Sequence, residues 1–124
     1  MSDEPAIDAV LPGRIGMLVR IPTLPGMRAA ALDALNRYID DLDQEPGTEA
    51  FLVCVDPADS DVVWLYEWFR DEQALEAHRS APLFGRLMNE LPGLVGESPG
   101  IMRIDPLRLR MSNAVSASTF GDLA

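Results

Sequence analysis

Within "DVVWLYEWFRDEQALEAH", residues 61–78, one carboxylate stands between large apolar side chains, and the chain's single histidine follows it. Glu67 sits in the middle of an apolar run, where an ionised carboxylate is costly unless it is paired, hydrogen-bonded or kept protonated. His78 is the one side chain here whose unperturbed proton affinity lies near neutrality, which suits a general base or a hydrogen-bond partner for a substrate. Each residue has a second, purely structural reading. Glu67 can pair with an arginine in a neighbouring strand, Arg20 or Arg103, and His78 can be a core histidine bonded to a backbone carbonyl.

Other chemistries lack their residues. Cys54, the only cysteine, excludes an intramolecular disulfide and thiolate zinc sites, and in "AFLVCVD" it reads as a buried, inert thiol. No glycine-rich phosphate loop, G-x-S-x-G elbow or histidine cluster occurs, so nucleotide-dependent, triad and mononuclear metal mechanisms have no support, and no metal or cofactor is expected. The net charge of −10, from 20 acidic and 10 basic residues, repels phosphate backbones and anionic lipid. Nucleic acid and membrane are therefore not expected partners. The N-terminus has no basic segment followed by an apolar core, and no stretch approaches a membrane span, which predicts a soluble cytoplasmic protein.

The elements that must hold Glu67 and His78 can be read from periodicity. "RIGMLVRIP" alternates Ile15, Met17, Val19 and Ile21 with Gly16, Leu18 and Arg20, the pattern of a strand, and Pro22 ends it. "MRAAALDALNRYIDDLDQEPG" carries Leu32, Leu35, Ile39 and Leu42 at helical spacing and closes at Pro46-Gly47. "TEAFLVCVDP" and "DVVWLYEWF" are two apolar strands whose connection, "PADSD", is short enough to require an antiparallel hairpin. "RDEQALEAHR" is a short helix with Asp71 as its N-cap, "SAPLFGRLMNELPGLVG" is a second helical stretch with Leu83, Leu87 and Leu91 on one face, stopped by Pro92 and Gly93, and "GIMRIDPLRLRM" is a fourth strand.

The order is β, α, β, β, α, β, which predicts an α+β ferredoxin-like fold with a four-stranded antiparallel sheet. Its domain spans residues 14–111, between tails at 1–13 and 112–124 that read as mobile, although Phe120 could anchor the second to a partner subunit. Strand parity splits the opening stretch in two: Trp64, Tyr66 and Trp68 point one way, and Leu65, Glu67 and Phe69 the other. Both faces are apolar, so one belongs under the helices and the other under a second copy of the chain. The expected assembly is a homodimer joined sheet to sheet.

The stretches "GMLVRIPTLPG", "EPGTEAFLVCVDP", "VWLYEWFRDEQALEAHRSAPLF" and "LPGL" resemble the antibiotic biosynthesis monooxygenase family. The likeness covers roughly residues 14–109. It implies a dimeric α+β barrel with a cavity between sheet and helices in each subunit, and oxidation by O2 of quinol-like or polyketide aromatic molecules without a cofactor. The resemblance also turns the Glu67 face toward the cavity and aligns His78 with the family's histidine. It makes His78 and Glu67 the candidate catalytic residues, with Leu65, Phe69, Tyr66 and Arg20 as candidate substrate-binding residues. Two departures stand out: polyketide-oxidising members carry Asn and Trp where this chain has Leu65 and Phe69, and haem-degrading relatives carry Asn and His where it has Val19 and Met88. A non-oxidative isomerase or cyclase using the same pocket, and a non-catalytic dimer that holds a small molecule, are the alternative functions.

Overall fold

The computed structural model describes residues 7–113. Residues 13–105 form one compact unit; the described part of a second unit, taken from residues 1–12 and 106–124, is a two-stranded ribbon. In the ribbon β1 (Ile7–Val10) pairs antiparallel with β6 (Arg108–Met111), and Arg108 grips Asp8 with two bonds of 3.0 and 2.9 Å. The larger unit contains β2 (Ile15–Pro22), α1 (Arg28–Asp40), β3 (Thr48–Val55), β4 (Val62–Phe69), α2 (Glu72–Ser80), α3 (Pro82–Glu90) and β5 (Gly100–Arg103). Its sheet runs β3-β4-β2-β5 with every pair antiparallel, the expected ferredoxin-like arrangement.

Two expectations change. The fourth strand is not continuous: β5 ends at Arg103, and residues 108–111 pair with the N-terminal segment instead. Pro106 explains the break, because it has no N–H for a ladder and biases Asp105 away from regular pairing. The N-terminal tail is therefore shorter than expected, since residues 7–10 are a strand whose partner is residues 108–111. Of the proposed C-terminal tail only Ser112 and Asn113 are described, and Phe120 lies outside the described residues.

The helices cover one face of the sheet. Leu24-Pro25-Gly26-Met27 turns the chain into α1, with Met27 N–H donating to the Leu24 carbonyl at 3.0 Å and Gly26 taking a φ of +76° that few other residues tolerate. The buried stripe of α1 is Ala31, Ala34, Leu35 and Tyr38, rotated from the expected one so that Leu32, Ile39 and Leu42 only flank the core. Alanines at its centre bring the helix close to the sheet. Asp71 caps α2 by accepting the Ala74 N–H at 2.8 Å, which satisfies one of the donors a helix start leaves open. α2 in turn buries Ala74, Leu75 and His78.

The other face of the sheet carries Leu18, Leu52, Trp64, Tyr66, Trp68 and Met102, with no element of this unit over it. Leu52 and Met102 are 58% and 60% exposed. Cys54 is also exposed here, contrary to the buried position expected, because it faces outward beside Trp64. The three aromatics are tied at their polar ends: Trp64 Nε1 donates to Asp56 at 3.0 Å, Tyr66 Oη to the Ile104 carbonyl at 2.7 Å, and Trp68 Nε1 to Glu49 at 3.2 Å.

Candidate functional site

Between the covered face of the sheet and α3 lies a cavity of about 150 Å³. Val19 and Ile21 of β2, Leu65 of β4 and Ile101 of β5 line it from the sheet, and Phe84, Leu87 and Met88 line it from α3. These are the alternate positions of strands and the i, i+3, i+4 positions of a helix, so ordinary amphipathic patterning builds the walls. Glu67 is the only ionisable side chain among the lining residues.

Glu67 is 8% exposed, and among the described residues no hydrogen bond or ion pair reaches its carboxyl group. Neither arginine offered as a partner serves: Arg103 binds Asp105, and Arg20 lies opposite Trp64 in the β2–β4 ladder, on the outer face. Burial, reinforced by the negative charge of Glu45, raises the Glu67 proton affinity from the usual 4.5 to about 7. At neutral pH this group can both give and take a proton, which is what an acid–base catalyst needs.

His78 does not line this cavity. Its Nδ1 lies 2.7 Å from Glu45 Oε1, a geometry in which Nδ1–H donates to the carboxylate. Tyr38 Oη, 3.1 Å from the same oxygen, donates to it and lies 3.1 Å from His78 Nδ1; Thr48 Oγ1 donates to it as well, at 3.1 Å. The imidazole is held between the rings of Phe69 and Phe84, with centroids 4.8 and 4.1 Å away. Burial lowers the His78 proton affinity, against the pull of Glu45, and burial followed by the Glu45 charge raises that of Tyr38, so the imidazole is neutral and the phenol keeps its proton. His78 and Glu45 instead border a separate pocket of about 290 Å³, together with Gly47, Thr48, Arg70 and Gln73.

The proposed site residues are thus divided among three settings. Glu67 and Leu65 face the cavity. Phe69 is fully buried against Ile15, Ala74, Leu75 and the imidazole, and His78 stands behind the cavity wall, joined to it through Phe84. Tyr66 and Arg20 belong to the outer face. Among the described residues no three His, Cys, Asp or Glu side chains converge as a metal-binding set, and no helix is long and apolar enough to cross a membrane.

Glu45, Tyr38 and Thr48 were not singled out from the sequence. Glu45 precedes Pro-Gly, a pair that marks a solvated turn, yet it is 7% exposed. Gly47 accounts for this, since its backbone passes so close to α2 that a Cβ there would stand 2.5 Å from Ala74 Cβ. That approach presses the turn into the core. For Tyr38 a signal existed, its place three residues after Leu35 on the helical stripe.

The family model described as antibiotic biosynthesis monooxygenase matches residues 14–90. No curated protein matches the chain. Among solved structures, a candidate antibiotic biosynthesis monooxygenase from Caulobacter crescentus superposes with a TM-score of 0.72 at 17% identity, over 79% of this chain and 93% of that one. A protein from Pseudomonas aeruginosa gives 0.69 at 22% identity, over 80% and 99%. A candidate monooxygenase of the same description from Chloroflexus aurantiacus gives 0.67 at 21%, over 76% and 93%. At these identities the structural likeness speaks for the fold.

Proposed function

The chain belongs to the antibiotic biosynthesis monooxygenase family, and on that premise we propose that it oxidises a single-ring, quinol-like phenol with O2 in the cavity over Glu67, without a flavin or metal. The observation that carries this reading is Glu67 itself, a carboxyl group unpaired among the described residues, with a proton affinity near neutrality, in an apolar pocket. Its carboxylate takes the phenolic proton as the ring binds. The resulting phenolate is electron-rich enough to pass one electron to O2, giving superoxide and a substrate radical. These combine through a C–O bond to a peroxide. Glu67 returns its proton to the outer peroxide oxygen, and loss of water, with the proton on the oxidised carbon, breaks the O–O bond and leaves one oxygen atom in a new carbonyl. Apolar walls suit both O2 and a flat ring, and they withhold the water that would quench the radical pair.

Cavity size favours quinols over polyketides. About 150 Å³ holds one aromatic ring, the size of cavity known to admit benzene, whereas a tricyclic substrate would require α3 to move. Oxygen uptake with substituted hydroquinones and with anthrones tests both statements. We expect consumption with the former, little with the latter, and a loss of about 100-fold or more in Glu67→Gln. Uptake unchanged in that variant would remove Glu67 from the reaction, and turnover without O2 would favour an isomerase.

The assembly proposed with this activity is a homodimer that covers the outer face of the sheet. Support comes from the exposure of Leu52 and Met102 beside a platform of three large aromatics whose polar ends are already bonded. Sedimentation equilibrium is expected to give twice the chain mass, and Leu52→Asp to give a monomer. A wild-type monomer at micromolar concentration would refute it.

A further inference from the structure

Behind the cavity wall lies a second buried carboxyl group that the oxidation itself does not touch. Glu45 accepts from Tyr38, Thr48 and His78, but all three donors serve Oε1. Oε2 is buried and has no partner among the described residues. The turn that carries it cannot back away, because Gly47 is already against α2. Negative charge on Oε2 is therefore neither met by a donor nor in contact with water, the condition in which its field reaches furthest.

That field reaches Glu67. Phe51 faces Glu67 directly across the β3–β4 ladder, and the Tyr38 ring packs on Phe51 with centroids 5.1 Å apart while its hydroxyl holds Glu45. Two packed rings, Phe51 and Tyr38, thus join the two carboxyl groups. Glu45 acts on Glu67 as a second cause, after burial, that holds its proton more tightly. The other groups around Glu67 do not cancel it. On α3 they are the apolar Phe84, Leu87 and Met88, on β2 Met17, on α1 Tyr38, which keeps its proton, and on β5 Arg103, which is spent on Asp105.

We propose that Glu45 is a positioning residue that acts through Glu67: repulsion between the two buried carboxylates makes Glu67 a stronger base toward a substrate hydroxyl than burial alone would. The proposal rests on the assignment of Glu67 as the base, yet the coupling can be read without turnover. Carboxyl carbon NMR of the full chain between pH 4 and 9 follows Glu67 directly. In Glu45→Gln its midpoint is expected to fall by about one pH unit, and the kcat/KM profile for hydroquinone oxidation to shift the same way. A folded Glu45→Gln chain with an unmoved Glu67 midpoint overturns the proposal.

Should that variant fail to fold, the wild-type chain supplies the test. Coupled groups titrate together, so the His78 ring resonances are expected to show an inflection at the Glu67 midpoint that disappears in Glu67→Gln. Its absence in the wild type is equally fatal. A chain that shows the coupling but consumes no O2 keeps Glu45 in this role toward Glu67 and overturns the oxidation alone.

Discussion

Two buried glutamates lie in one small domain, and they have opposite surroundings. Glu45 and Glu67 are 7% and 8% exposed, so burial does not distinguish them. Hydrogen bonding does. Three donors converge on Glu45, and the described residues send none to Glu67. The first is built into the scaffold, where its loss would strand tyrosine, threonine and imidazole donors together. The second is tolerated only because it can hold a proton, and its free lone pairs face an open cavity. A partnered buried carboxylate reads as architecture, and an unpartnered one beside a cavity reads as chemistry.

The largest break in this contrast is expected at His78. His78→Ala removes the shortest bond to Glu45 and opens a hole between Phe69 and Phe84, and loss of a bond to a charged group plus a ring-sized cavity costs about 4 kcal/mol. Glu67→Gln at pH 5, where the wild-type group is also neutral, is expected to change stability by under about 1 kcal/mol, since no partner is lost. Urea unfolding of both variants decides the matter. Equal destabilisation would mean that His78 and Glu67 belong to one network, and the division between scaffold and site would fall.

Sequence reasoning found one glutamate and missed the other for a physical reason. Glu67 announces itself because strand alternation forces it among apolar residues, and that pattern is local. Parity likewise separated Leu65, Glu67 and Phe69 from Trp64, Tyr66 and Trp68, and the helical and strand periods gave the four-stranded sheet. Glu45 sits in a turn, where no periodicity applies, and its burial depends on how closely Gly47 meets Ala74 across the fold. The same limit hid β1, four residues long, whose pairing partner among the described residues lies about a hundred residues further along the chain. Nor does sequence spacing tell which cavity a histidine borders; His78 is on the buried face of α2, turned toward the turn at Glu45 rather than toward Glu67.

A smaller effect, and a sharper one, follows from the proton on Glu67. Its affinity is about 7 in the folded chain against 4.5 for an ordinary glutamate, so between those values the folded state holds a proton that the unfolded chain has released. Stability must then fall as pH rises through that window, by up to about 3 kcal/mol once the group is ionised in both states. His78 acts in the opposite sense. Burial makes it bind a proton less tightly than an unfolded imidazole, so its contribution improves as pH rises toward 6.5. Wild-type stability alone would blend the two. The difference between Glu67→Gln and wild type isolates the first, because the variant keeps His78 and loses only the titrating carboxyl. Urea midpoints measured from pH 4 to pH 8 are expected to show the variant level with wild type at the acid end and more stable by about 3 kcal/mol at the basic end. A gap that stays constant across the range would mean that Glu67 titrates in the folded chain as an ordinary glutamate does, and the unpartnered glutamate would lose its claim to the chemistry.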